Sequence, residues 1–195
     1  MTDPLDATLA ATLLPARRSV RLARDAALVV GGALALAVSA KVQVPFYPVP
    51  MTLQTLVVLI LAAGCGARLG AAAVALYLVE GLLGAPVFAG AVAGPAYMAG
   101  PTGGYLVGFL AAAALVGFLA ERGWDRSWAW LIAAMTIGHA VIFAFGYAWL
   151  AALIGPEKAF ALGVAPFALA TVVKTLLAAA LVGAAWGAVA RLRDA

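Results

Sequence analysis

The chain has 195 residues, of which 66% are hydrophobic and 10% charged, with a formal net charge of +4 and a mean hydropathy of +1.09. A soluble domain carries roughly 25% charged and 45–50% apolar residues, so a water-soluble globular protein, a disordered chain and a nucleic-acid binder are excluded. In so apolar a chain the basic residues belong beside membrane spans.

Residues 1–23 form a basic cytoplasmic N-terminal segment, and 24–195 a single membrane domain. A spanning helix needs about 20 apolar residues, or 17–25 with tilt. The first span is expected over about 24–41, after Arg17, Arg18, Arg21 and Arg24 and ending near Lys41. Val44-Pro45-Phe46-Tyr47-Pro48-Val49-Pro50 follows, and its prolines exclude helix. The second span begins near Thr52 and ends at the turn Gly64-Cys65-Gly66-Ala67-Arg68-Leu69-Gly70. The third covers about 70–84. Residues 85–102, with Pro86, Pro95 and Pro101, form a second irregular segment. The fourth, fifth and sixth spans cover about 103–120, 128–153 and 166–190. The fold class is all-α: a polytopic membrane protein with a six-helix bundle.

Orientation follows the distribution of Lys and Arg. With a cytoplasmic N-terminus, nine of the twelve basic residues lie inside, Lys41 and Lys158 lie outside, and Lys174 falls within the sixth span. Both termini are therefore expected in the cytoplasm. The arginines, the run 26–40 and Ala37-Val38-Ser39-Ala40 also resemble a cleavable signal peptide. The basic region lies far from Met1, however, and cleavage would leave an odd number of helices, so the first span is expected to be retained.

This orientation gathers the intramembrane polar residues in the outer half. Lys174 lies about 12 Å below the start of the sixth span at 1.5 Å per residue. A lysine at such a position costs roughly 2.5–3.5 kcal/mol on insertion scales and needs a ligand, an ion-pair partner or a path to the surface. Thr171 shares its helical face. Glu80, near the outer end of the third span, is a ligand group or a partner for Lys174 or Lys41. Gln54 offers donors and an acceptor suited to an amide or urea, or caps the second span together with Thr52. His139, near the middle of the fifth span, reads as a hydrogen-bonded core residue. Trp124, Trp128 and Trp130 bracket the inner interface, and Tyr147 and Trp149 the outer one.

Catalysis has little to build on. One cysteine, Cys65, excludes an internal disulfide and a Cys/His metal centre, and no metal or cofactor site is expected. The single histidine and three serines give no hydrolase context such as G-x-S-x-G. No G-x-x-x-x-G-K-[ST] phosphate loop occurs, so any ATP-driven work needs a partner. In the first span Gly31, Ala35 and Ser39 recur every four residues, as do Ala33 and Ala37. Such faces let another helix approach closely, within this bundle or from a partner.

Three elements occur in order: Val49-Pro50-Met51-Thr52-Leu53-Gln54-Thr55-Leu56, Gly84-Ala85-Pro86-Val87-Phe88-Ala89-Gly90 and Gly100-Pro101-Thr102-Gly103-Gly104-Tyr105-Leu106. Together they resemble the BioY family, the biotin-binding S components of energy-coupling factor (ECF) transporters, over about residues 24–190. The resemblance implies a six-helix substrate-capture subunit in a bacterial or archaeal cytoplasmic membrane, binding biotin from outside beneath the loop between the first two spans. It also implies a transmembrane coupling protein and two cytoplasmic ATPases as partners. Small residues of the first helix (Gly31, Ala33, Ala35, Ala37 and Ser39) would dock onto the coupling protein. Biotin would meet Lys174 through its carboxylate and Gln54, Thr171 or Glu80 through its ureido ring, with Thr52 also among the binding residues and Phe46, Tyr47 and Tyr97 closing over the thioether ring. Where the family usually has Pro-Gly-Asp-x-x-Lys in the sixth span, this sequence reads Leu169-Ala170-Thr171-Val172-Val173-Lys174, with the lysine kept and Thr171 at the aspartate position. The alternatives are another small vitamin or a biotin precursor on the same scaffold, and, from a different class, a membrane assembly protein.

Overall fold

In the computed structural model, residues 8–14, 17 and 19–194 are described; much of the N-terminal segment, including Arg18, lies outside the described residues. The order of elements is α1 (Leu9–Leu13), α2 (Arg21–Lys41), β1 (Gln43–Val44), β2 (Met51–Thr52), α3 (Gln54–Leu82), α4 (Pro95–Ala99), α5 (Gly103–Glu121), α6 (Trp128–Ile154), α7 (Pro156–Gly163) and α8 (Ala168–Asp194). Short 3₁₀ turns, Trp124–Arg126 and Ala165–Phe167, precede α6 and α8. The two strands pair antiparallel, Gln43 opposite Thr52 and Val44 opposite Met51, forming a small ribbon between α2 and α3.

Five helical runs among the described residues are long and apolar enough to cross a membrane: α2, α3, α5, α6 and the run 156–191. The sequence suggested six, because it divided α3 at 64–70. The division has a structural counterpart at one residue, Gly66, whose φ of 83° and ψ of 175° are non-helical. A positive φ is open to glycine at little steric cost. Beyond it the chain doubles back, and a Cβ at Gly70 would lie 3.0 Å from the Cα of Ala62. At the open end Gln54 Nε2 donates to Tyr77 Oη at 2.6 Å, although 23 residues of straight helix would separate them by about 35 Å.

The corner of this hairpin is held by α5. Gly117 packs against the backbone of Gly66 and Ala67, where a Cβ has no room. One turn on, Glu121 Oε1 accepts from the Ala67 amide at 2.8 Å. That bond caps the N-terminus of the second arm, where helical amides lack partners. The outward faces of α2 and α8 expose Val30, Leu34, Val38, Val172, Val173 and Leu176, as lipid-facing helix surfaces should.

Trp186 of α8 donates its indole N–H to Asp125 Oδ2 at 2.7 Å, and the Arg126 guanidinium lies 4.0 Å over the Trp186 ring. Burial pushes the Asp125 carboxyl above its ordinary range, against the lowering effect of the Trp186 bond and of Arg126. An acid whose folded pKa exceeds its unfolded value contributes stability at low pH and loses it as pH rises through the folded pKa. Asp125→Asn keeps an acceptor for Trp186 and removes the buried charge. It is expected to raise the unfolding temperature at pH 8, with the gain shrinking as pH falls toward 4, measured by thermal denaturation in detergent.

Candidate functional site

At the end of the bundle that carries the ribbon, α3, α5, α6 and α8 converge beneath the loops. A small chamber of about 50 Å³ lies there, lined by Thr52, Gln54, Thr55, Tyr105, Phe143 and Lys174 among others. Above it lies a vestibule of about 370 Å³ bordered by Gln43, Phe46, Ala91 and Pro101. Pro50, Ala89, Tyr97 and Thr102 border both. Pockets for small molecules occupy about 300–1,000 Å³, so the chamber alone is too small for a vitamin, whereas the chamber and vestibule joined reach that range.

Lys174 Nζ donates to the Thr52 carbonyl at 2.6 Å and to Thr55 Oγ1 at 3.3 Å. An ammonium has three N–H donors, so one remains. Among the described residues, the rest of the chamber lining contains no Asp, Glu, Arg or His, and none of them gives the charge of Lys174 a counter-ion there.

Gln54, only 3% exposed, has an amide fixed on both sides. Its Nε2 donates to Tyr77 Oη, and its Oε1 accepts from the Thr52 hydroxyl at 3.2 Å. One N–H and one lone pair stay uncommitted. Thr52 Oγ1 also accepts from the Gln54 amide at 3.3 Å, satisfying a free N–H at the start of α3 in the manner of a cap.

Aromatic rings meet edge to face along one wall. Phe46 meets Phe167 at 6.1 Å, Phe167 meets Phe143 at 6.1 Å, and Phe143 meets Tyr105 at 6.2 Å. Elsewhere in the lining Tyr97 stacks on the buried ring of Phe88 at 4.8 Å. Burial pushes the Tyr97 hydroxyl above its ordinary pKa, so it serves as a neutral hydrogen-bonding group. Lys41, at the end of α2, donates to the carbonyls of Phe88 and Gly90 at 2.7 and 2.9 Å and so fixes the vestibule wall.

The structure thus brings Lys174, Gln54, Thr52 and Tyr97 together, with Phe46 at the vestibule. The remaining candidates lie elsewhere. Thr171 borders a separate groove between α6 and α8, beside His139 and Thr175. Three residues along a helix are offset by about 60° around the axis, which turns Thr171 away from the chamber. Thr175 Oγ1 lies 3.0 Å from His139 Nδ1, so His139 is the hydrogen-bonded core residue expected. Tyr47 is 88% exposed and borders neither space. Glu80 also borders neither, and the ammoniums of Lys174 and Lys41 are bonded to other oxygens.

The small residues of α2 divide between two faces. Gly31 and Ala35 are exposed and Ala37 is half-buried, whereas Ala33 and Ser39 are buried in the bundle. Ser39 Oγ donates to the Leu36 carbonyl at 2.8 Å. Gly31 and Ala33 are rotated by about 200° from one another and cannot share a face, and Ser39, eight residues beyond Gly31, has turned by about 80° from it into the bundle. Ala23 and Ala27 extend the exposed register.

The sequence matches the BioY family over residues 7–191. A probable biotin transporter BioY from Pyrococcus horikoshii is 38% identical over 156 residues, covering 80% of this chain and 92% of that protein. A biotin transporter BioY from Thermotoga maritima is 38% identical over 145 residues, covering 74% and 85%. Among solved structures, the S-component for biotin from an ECF-type ABC transporter superposes with a TM-score of 0.76 at 23% identity, covering 92% of this chain and 96% of that one.

Proposed function

Because this chain belongs to the BioY family, we propose that it is the biotin-capture subunit of an ECF-type uptake system, a multi-pass protein of a prokaryotic cytoplasmic membrane. It crosses the membrane six times, counting the arms of α3 separately, with both termini inside and the chamber outside. The observation that carries the reading is the chamber's charge: one ammonium and no carboxylate, beside a half-committed amide. Lys174 pairs with the valerate carboxylate. Gln54 offers its free N–H and lone pair to the ureido ring, with Thr52 beside it, and the aromatic wall with Tyr97 takes the apolar rings. Isothermal titration of the purified protein with biotin and a panel of small vitamins tests this. Saturable 1:1 binding of biotin alone is expected, and binding of another vitamin instead would overturn the assignment.

A transmembrane coupling protein, driven by two cytoplasmic ATPases, supplies the inward step. The exposed stripe Ala23, Ala27, Gly31 and Ala35 is the docking face, since small residues let helices approach closely. A Cβ at Gly31 meets nothing within 4 Å, so a larger side chain there leaves the bundle intact. Gly31→Leu is expected to keep wild-type biotin affinity while abolishing co-purification with the coupling protein. Retained co-purification would move the docking face elsewhere.

A further inference from the structure

Lys174 borders two spaces. One is the chamber; the other is a groove of about 220 Å³ walled by Val44 and Met51 of the ribbon and by Val42 and Leu53 beside it. A lysine is a compact charge on a flexible four-carbon stem, so covalent structure alone does not decide which space its ammonium serves. Its hydrogen bonds do. One goes to the Thr52 carbonyl, and Thr52 borders chamber and groove alike. The other goes to Thr55 Oγ1, from the first turn of α3, and Thr55 borders the chamber but not the groove. We propose that Thr55 is a positioning residue whose hydroxyl holds the Lys174 ammonium on the chamber side, so that its remaining N–H meets a ligand carboxylate and the site selects an acid over its ester.

The proposal rests on the reading of the chamber as the biotin site. Thr55→Val is nearly isosteric and removes only the hydroxyl. Without that tether the ammonium can turn into the groove, and a carboxylate in the chamber loses its charged partner. A neutral ester never had that pairing and loses little. If Thr55 served packing alone, acid and ester would suffer alike.

The test is titration of purified wild-type and variant protein with biotin and with biotin methyl ester. Thr55→Val is expected to weaken biotin binding about 10-fold, the scale of one hydrogen bond to a charged group, and to change ester binding less than about twofold. Thr55→Ser is expected to restore biotin binding. In a Lys174→Met background, adding Thr55→Val is expected to change biotin affinity by less than about twofold, because the two side chains act as one unit. Unchanged biotin affinity in Thr55→Val, equal losses for acid and ester, or a full loss in the Lys174→Met background would overturn the proposal. Wild-type protein that binds neither ligand would instead remove the functional reading beneath it.

Discussion

Lys174→Met is expected to weaken biotin binding by about 100-fold or more. Truncating one partner of a buried charge pair costs roughly 2–5 kcal/mol, largely because the other charge is left unpaired, and each 1.4 kcal/mol is about tenfold in affinity. Methionine keeps much of the lysine stem and fills irregular space, so the change deletes the ammonium without emptying the wall. Among the described residues the chamber holds no second cation to replace it. The free protein loses two hydrogen bonds as well, to the Thr52 carbonyl and the Thr55 hydroxyl, and thermal unfolding of the same preparation separates that effect from binding. Isothermal titration is the readout. Wild-type affinity in Lys174→Met would assign the carboxylate to another part of the site.

The largest effect on stability is expected at Gly117→Ala. The added methyl group would run into the backbone of Gly66 and Ala67, and backbone at a tight corner cannot turn aside as the end of a flexible side chain can. Overpacking costs about 1–3 kcal/mol, and here the upper end applies. Pushing the corner away also stretches the 2.8 Å bond from the Ala67 amide to Glu121, one turn along the same face of α5. The expected result is a marked fall in unfolding temperature and in the yield of folded protein. Gly187→Ala, where a Cβ meets nothing within 4 Å, is the control and should leave stability unchanged or raise it by up to about 1 kcal/mol, alanine being the better helix former. Equal melting of Gly117→Ala and wild type would mean that the corner is free to move.

The helices of this chain were largely legible because lipid demands long apolar runs and the ends of those runs are chemically marked. Lys41 closes α2, Gly103 and Gly104 open α5, and Ser127 with Trp128 opens α6. What escaped were the short elements, among them α1 in the N-terminal segment. The five residues of α4 and the eight of α7 are too short to show a periodicity, and the strands of the ribbon have two residues each.

The site divides in the same way. Lys174 and Gln54 stood out because polar groups in a membrane are costly and need a reason. Thr55 and Thr102 sat inside the quoted sequence elements, yet nothing singled them out from their neighbours. Phe143 and Phe167 carry no signal, since an aromatic ring in an apolar helix looks the same whether it faces lipid or ligand. Cost alone misdirects as well: Glu80 lies two residues before the end of α3, near the boundary, where a carboxylate is easily tolerated.

The hairpin in α3 bears on how a ligand is held. Its arms are joined by a single non-helical residue at one end and clipped by Gln54 and Tyr77 at the other. There is no slack in such a unit, which behaves as a stiff plate forming one side of the chamber. A vitamin needs the chamber of about 50 Å³ together with the vestibule of about 370 Å³ above it, and a stiff plate keeps its side of the chamber in place. The plate thereby fixes where the polar groups of Gln54 and Thr55 stand along the chamber wall.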